Sequence, residues 1–218
     1  MPKFPESPIE PREFLGEFLP ALFAEFEVPE AFAPLDESVG LLLRGESGGT
    51  WRIGVRGGEI RVEADNPEGS AITLVQSVDD WRGALWEGRG GPFGEYAAKL
   101  FTPRAAALLE EVGARVPVRP EADIFGPLRE VEGLVAVVVT DATSGDWCIA
   151  VKLGPGPVPD EPCTTISISA GDAAALGSGE LKALEAFLAG RIQIEGDVGL
   201  VMQLQGALMQ VKTELGGD

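Results

Sequence analysis

The sequence predicts an α+β fold made of two similar units, each a small, mainly antiparallel sheet covered on one face by helices. Short alternating strands followed by helical segments support this expectation. The same order of segments begins again about halfway along the chain, where Trp51-Arg52-Ile53-Gly54-Val55 recurs 96 positions later as Trp147-Cys148-Ile149-Ala150-Val151. We therefore expect a tandem repeat, with a flexible lead-in at residues 1–11, a first unit at 12–118 and a second unit at 119–218.

The first unit begins with a helical segment and continues as strands. Apolar residues recur at helical spacing from Glu13 to Phe26, and Pro20 predicts a kink or two short helices there. Four strands are predicted, at Val39–Arg44, Thr50–Arg56, Glu59–Ala64 and Ala71–Gln76. We interpret them as an antiparallel meander. Asp79 is expected to cap a helix that ends at Gly88, and a further helical region follows.

The second unit repeats this plan and adds a final strand and helix. The proline-rich stretch Gly154–Pro159 interrupts its third strand, and helices are predicted near Gly171–Leu176 and Glu180–Leu188. A strand through Ile192 and Ile194 follows, and Gly196-Asp197 supplies a turn and an N-cap for a last helix. On that helix one apolar stripe is predicted, made of Val198, Val201, Met202, Leu208 and Val211. The unit boundary is expected in Val116-Pro117-Val118-Arg119-Pro120.

Charge and composition exclude several classes of function. The chain has 35 acidic and 17 basic residues, for a formal net charge of −18, so nucleic-acid phosphates and anionic membrane surfaces are disfavoured as partners. It has no histidine, which excludes Ser-His-Asp and Cys-His catalysis and His-ligated metal sites. We therefore expect no enzymatic activity and no metal or other cofactor.

Cysteine and hydropathy patterns bear on the compartment. We interpret Cys148 and Cys163 as buried thiols of a reduced protein, and a disulfide between them remains an open alternative. The longest apolar run, Leu134–Val139, is much shorter than the roughly 20 residues of a membrane span. The N-terminal residues are proline-rich and acidic, unlike a signal peptide. These features predict a cytoplasmic protein that does not insert into membranes.

The order of parts in the second unit forms a recognisable pattern. A short meander carries the Trp-x-Ile-x-Val strand, a Leu-x-x-Gly segment follows, and then comes Phe187-Leu188-Ala189-Gly190-Arg191-Ile192-Gln193-Ile194-Glu195-Gly196-Asp197 before an amphipathic C-terminal helix. In this order the unit resembles the sterol carrier protein type two (sterol-binding) family. The resemblance implies a five-stranded, mainly antiparallel sheet whose helices enclose an apolar tunnel for sterols, fatty acids or fatty acyl-CoA. The first unit resembles a degenerate copy without the last strand.

Function follows from this resemblance as an expectation. We expect non-catalytic binding of a small apolar lipid in the second unit, because each buried methylene contributes about 0.8 kcal/mol and a dozen about 10 kcal/mol before ordering costs. Phe187, Ile192 and Ile194 are predicted to line one wall of the tunnel. The movable wall is predicted to consist of Val198, Val201, Met202 and Leu208. The alternative is a structural or protein-interaction module with a filled pocket, which binds a partner protein and no ligand.

Overall fold

The computed structural model describes residues 2–30, 36–113, 125–141 and 143–214. In these residues the strands form one continuous sheet in the order β3-β2-β1-β4-β6-β5-β7-β8. The strands are β1 (Glu37–Arg44), β2 (Gly49–Arg56), β3 (Glu59–Glu63), β4 (Ile72–Ser77), β5 (Gly133–Thr140), β6 (Trp147–Leu153), β7 (Thr164–Ser169) and β8 (Ile192–Gly196). The α+β class is confirmed, but the two small sheets of the sequence prediction are one sheet. The predicted boundary at 116–120 lies outside the described residues.

Helices lie between and beside the strands. They are α1 (Pro11–Glu13), α2 (Leu19–Phe23), α3 (Val78–Arg82), α4 (Gly91–Lys99), α5 (Arg104–Gly113), α6 (Gly126–Arg129), α7 (Ala170–Ser178), α8 (Ala183–Leu188) and α9 (Val198–Glu214). A π-helical turn, Phe14–Phe18, joins α1 to α2, and a second, Gly83–Glu87, continues α3. The N-terminal helix is therefore not interrupted at Pro20, because proline is tolerated in the first turn of α2.

Two local sequence predictions in the first half are wrong. β4 pairs with β1 in parallel, so the first four strands are not an antiparallel meander. The chain crosses from β3 to the far side of β1 through the turn Pro67–Gly69, and Gly40 makes room for it, since a Cβ there would lie 2.5 Å from the Pro67 Cβ. The cap of α3 is Ser77, whose Oγ accepts a hydrogen bond from the Asp80 N–H at 2.9 Å. The predicted cap, Asp79, lies inside the helix.

Strands β4 and β6 join the two halves by antiparallel pairing from Ile72 opposite Leu153 to Val75 opposite Ala150. In the first half β2 has β3 as its outer neighbour, whereas the corresponding strand β6 has β4 in that place. In the second half β7 has β8 as its outer neighbour, whereas the corresponding strand β4 has β6 in that place. At the centre of the sheet each half thus provides a neighbouring strand for the other half: β4 for β6, and β6 for β4.

The tryptophans of the repeated motif lie on corresponding strands but differ in register. Trp51 on β2 pairs with Leu41, and Trp147 on β6 pairs with Val139. The halves join through backbone hydrogen bonds of the sheet rather than only across an apolar interface. That they arose as a tandem repeat stays a prediction.

The helices cover one face of the sheet. On that face of the first half, Phe14, Leu15, Leu19 and Leu22 pack against the strands with Trp81 and Phe101. The opposite face is covered near the junction by the chain after β6, where Val158 packs against a small cluster that includes Leu134 and Ala150. Lys152 is buried on this side, and its ammonium group donates hydrogen bonds to the carbonyls of Gly154 and Pro155.

Candidate functional site

A row of apolar side chains crosses four neighbouring strands on the helix side of the second half. Val137 pairs with Ile149 on one side and with Ile166 on the other, and Ile166 pairs with Ile194. All four side chains are only partly buried. With strands about 4.8 Å apart, this row is about 14 Å long. We call these four residues the middle row.

The neighbouring row of side chains on one side of the middle row is covered by α7 and by residues of the first half. Val139, Trp147 and Ile168 are buried there, and they pack with Ala173 of α7 and Ala84 of the turn Gly83–Glu87. Trp147 also donates a hydrogen bond from Nε1 to the Asp80 carbonyl at 2.9 Å. One cover of the middle row therefore depends on residues from both halves.

The row on the other side is covered by α9. Its face with Leu200, Leu204 and Ala207 packs over Val135 and Leu153, together with α6. The helix approaches the sheet closely because Gly133, at φ +155°, has no side chain, and a Cβ there would lie 2.6 Å from a Leu200 methyl group. The partly buried middle row thus lies between the α7 cover and the α9 cover, with Ile149 packed against the first cluster and Ile166 against the second. We call this strip of the sheet the apolar groove.

The predicted lining residues divide into two groups. Ile192, Ile194 and Val201 are partly buried, and the two isoleucines lie on the helix side of β8 beside the groove. The other four are exposed: Phe187 by 45%, Val198 by 48%, Met202 by 70% and Leu208 by 50%. The packed face of the last helix consists of Leu200, Leu204, Ala207 and Val211. Of the predicted apolar stripe, Val211 belongs to this face, whereas Val198, Met202 and Leu208 are exposed.

Sequence reasoning missed three members of the middle row, Val137, Ile149 and Ile166. Alternation places each on the same face as the neighbouring buried residues two positions away. Alternation in the strands thus shows on which face of the sheet these residues lie. It does not show which part of that face the helices leave partly exposed.

An ion pair fixes the chain at the entrance to β8. Arg191 donates from Nε to Asp172 Oδ1 at 2.7 Å, and Ser169 Oγ accepts from the Asp172 backbone N–H at 3.1 Å. Hydrogen bonding from Arg191, then from the Ser169 hydroxyl, lowers the pKa of the Asp172 carboxyl. The start of α7 and the start of β8 are thereby held together at neutral pH.

The thiols have no catalytic environment. Cys148 and Cys163 are both free, and Cys163 is exposed, which contradicts its prediction as a buried residue. Burial, and next the Asp80 carboxylate, raises the pKa of the Cys148 thiol, which disfavours the reactive thiolate. The described residues contain no group of three or more acidic or cysteine side chains placed to hold a metal ion.

A polar cleft of about 260 Å³ lies on the opposite face of the first half. Four arginines line it, and each is paired with a carboxylate: Arg52 with Asp65, Arg56 with Asp36 at 3.5 Å, Arg61 with Glu59 at 3.3 Å, and Arg129 with Glu37 at 2.6 Å. Because its lining is charged, this cleft does not suit an apolar ligand. The apolar groove is the better candidate for such a ligand.

Part of the chain is similar to known proteins. Residues 120–209 match the model of the SCP-2 sterol transfer family. The chain is 31% identical over 93 residues to hydroxysteroid dehydrogenase-like protein 2 of Xenopus tropicalis, an alignment covering 40% of this chain and 22% of that protein. It is 33% identical over 90 residues to sterol carrier protein 2 of Rattus norvegicus, covering 38% of this chain and 16% of that protein.

A solved structure is also similar. The crystal structure of sterol carrier protein 2 like 2 from Aedes aegypti is 26% identical, covers 46% of this chain and 92% of its own, and has a TM-score of 0.30. The chain spans less than a quarter of the length of the curated relatives it matches. The match over residues 120–209 identifies an SCP-2 sterol transfer family-model domain in the second half of the chain.

Proposed function

We propose that the second half binds one small apolar lipid, a fatty acid, fatty acyl-CoA or sterol-like molecule, along the middle row of the apolar groove. The observation that carries this proposal is the partial exposure of Val137, Ile149, Ile166 and Ile194 between two covered rows. An apolar chain lying on this row removes its own surface and that of the four side chains from water, at about 25 cal/mol per Å². The family match of residues 120–209 and the name of the rat relative support the same class of ligand.

The binding needs no catalytic group. The chain has no histidine, and its described residues hold no metal-binding cluster. The dehydrogenase-like name belongs to a relative of which this chain covers 22%. We therefore propose a carrier or presenter of lipid rather than an enzyme.

The lining set follows from burial. Ile192, Ile194 and Val201 remain in it from the sequence prediction, and Val137, Ile149 and Ile166 join it. We do not include the four exposed residues of the prediction, Phe187, Val198, Met202 and Leu208, in this proposed lining.

Adjacent residues on β8 give a matched test. Ile194→Trp places a large ring in the groove, whereas Gln193→Trp places the same ring on the opposite, exposed face of the strand. In a titration with a fluorescent long-chain fatty acid, we expect Ile194→Trp to weaken binding at least tenfold, about 1.4 kcal/mol, while Gln193→Trp leaves it unchanged.

Urea unfolding completes the test. An open groove accepts the ring introduced by Ile194→Trp with little loss of stability, whereas a filled core would be overpacked and lose about 1–3 kcal/mol. Loss of stability together with an absence of fatty-acid, acyl-CoA and sterol binding in the wild type would favour the structural or interaction module instead.

A further inference from the structure

Three arginines surround a glycine on the face of the first half that carries the polar cleft. Arg52 lies two residues before Gly54 on β2, and Arg56 lies two residues after it. Arg61 on β3 pairs directly with Gly54. Alternation places the three arginines on the same face of the sheet. With about 3.3 Å per residue along a strand and about 4.8 Å between strands, their backbones lie within about 7 Å of the glycine.

Gly54 leaves the space among these arginines without a side chain. A Cβ at this position would lie 2.0 Å from the Glu37 carbonyl oxygen and 2.8 Å from the Ser38 Cβ, so a side chain here would force the backbone of β1 to shift. Ser38 pairs with Gly54 from β1 and also lines the cleft. The polar cleft therefore has a floor of backbone and small residues, with long cationic side chains around it.

The carboxylate partners of the three arginines use few of their N–H groups. An arginine has five such donors, and its strong pairing with an oxyanion uses two of them in parallel. Arg61 donates from Nη2 to Glu59 at 3.3 Å, Arg52 donates from Nη2 to Asp65, and Arg56 contacts its carboxylate partner at 3.5 Å. In the part of the chain that the structure describes, none of the three donates two hydrogen bonds to one carboxylate. Most of their N–H groups are therefore not used by these partners.

Arg52 also has a buried donor that lacks an acceptor. Its Nε is shielded from solvent, and no group of the described residues accepts a hydrogen bond from it. Buried donors without an acceptor are rare, because they lose their hydrogen bonds to water without replacement. An oxygen-rich ligand beside Arg52 in the cleft would supply an acceptor.

The charge around the cleft indicates the class of ligand. Four of the 17 basic residues of this acidic chain line the cleft, against three acidic residues. The carboxylates of Asp36 and Glu59 are both 72% exposed, and exposed ion pairs contribute little to stability, so a ligand can replace them at small cost. Three guanidinium groups around one point suit a tetrahedral oxyanion with several oxygens and two negative charges. We propose that the polar cleft binds the phosphate group of a small, water-soluble phosphate ester.

The size and the lining of the cleft favour a small soluble ligand over larger partners. Its volume of about 260 Å³ lies just below the range of about 300–1,000 Å³ that is usual for small-molecule pockets. Apart from Val55, its lining residues are polar, charged or glycine, so the cleft offers no surface for an acyl chain. A nucleic acid has many phosphates, and the net charge of −18 repels it. Because the cleft and the apolar groove lie on opposite faces of the sheet, this proposal does not depend on the proposed function.

Calorimetric titration of the full chain at constant ionic strength tests the proposal. We expect inorganic phosphate and glycerol 3-phosphate to bind, and the dicarboxylate succinate to bind more weakly by about tenfold or more. Arg61→Gln should weaken binding of glycerol 3-phosphate by about tenfold or more. The matched control is Arg104→Gln, which removes the same charge at a 73% exposed arginine of α5 outside the cleft, and it should leave the affinity unchanged.

Urea unfolding with and without glycerol 3-phosphate gives a second measurement. Arg61 is 51% exposed on the edge strand β3, so Arg61→Gln should unfold at nearly the wild-type midpoint without ligand. Glycerol 3-phosphate should raise the midpoint of the wild type and of Arg104→Gln, but not that of Arg61→Gln, because a ligand stabilises only a protein that binds it. Arg56→Gln provides a second cleft variant, for which we expect the same loss of affinity.

Four outcomes would overturn the proposal. The first is that neither phosphate compound binds to the wild type, and the second is that inorganic phosphate binds but the ester does not. The third is an equal affinity for succinate, which would remove the selectivity for phosphate. The last is an equal loss of affinity in Arg104→Gln, which would show that the net charge of the chain, and not the cleft, attracts the anion.

Discussion

The two halves of the sheet have the same order of corresponding strands but different covers on the helix side. Leu41 and Val137 each lie three residues before the end of their strands, β1 and β5. Leu41 is 1% exposed, under the N-terminal helical segment, whereas Val137 is partly exposed between the covers formed by α7 and α9. The difference teaches that the order of strands alone does not determine whether the helix side of the sheet is covered. In the first half the segment with Phe14 and Leu15 packs over the strands and covers them.

The filled half also supports the open half. Its β4 strand flanks β6, its Asp80 carbonyl accepts a hydrogen bond from Trp147, and Arg89 donates from Nη2 to the Asp146 carbonyl at 2.7 Å. The first half therefore packs against and hydrogen-bonds to the second half at β6 and the turn before it. The largest expected effects follow from breaking this support.

Trp147→Ala is expected to destabilise both halves together, by about 3–5 kcal/mol, because Trp147 is 1% exposed at the junction. In this variant the remaining tryptophans, Trp51, Trp81 and Trp86, all lie in the first half. Urea unfolding should therefore give the same lowered midpoint by tryptophan fluorescence and by far-UV circular dichroism. A fluorescence midpoint that stays at the wild-type value would show that the halves unfold independently.

Leu41→Trp and Val137→Trp test the difference in cover at corresponding positions. Leu41→Trp should overpack the filled half and cost about 1–3 kcal/mol of unfolding free energy, with fatty-acid affinity unchanged. Val137→Trp should cost less stability and weaken fatty-acid binding at least tenfold, because its ring occupies the groove. Urea unfolding and fluorescent fatty-acid titration measure the two effects. Equal destabilisation by both variants would contradict an open groove.

Gly206→Ala and Gly16→Ala compare the two covers. Both glycines are exposed in helical turns, and a Cβ at either position meets no atom within 4 Å. Each change should stabilise the protein by up to about 1 kcal/mol through helix propensity. Only Gly206→Ala, in α9, should also slow release of a fluorescent fatty acid in stopped-flow displacement, because it stiffens the cover of the open groove. The same release rate in both variants would indicate that α9 does not move when ligand leaves.

Much of the strand plan could be predicted from alternation and turn residues. The strands around Ile53, Ile60 and Ile194 are found this way, and so is the break at Gly154–Pro159. The pairing of β4 with β1 could not be found, because a strand pattern does not specify its neighbour or direction. The pairing of β4 with β6 could not be predicted for the same reason.

The face of α9 could not be predicted for a different reason. Apolar residues occur on every side of this helix, so helical spacing supports both the stripe through Met202 and the packed face through Leu204. Only contact with the sheet distinguishes them. The cap of α3 is a similar case, since Ser77 and Asp79 both suit an N-cap and the position of the strand end selects Ser77.

The pairing of β4 with β6 also determines what happens to the sheet when one half of the chain is deleted. A deletion of the first half would leave β6 with an unpaired row of backbone N–H and C=O groups, and a deletion of the second would do the same to β4. Open edges of this kind pair with other chains and aggregate. We therefore expect either half on its own to aggregate, whereas substitutions in the cover of one half should leave the β4–β6 pairing intact.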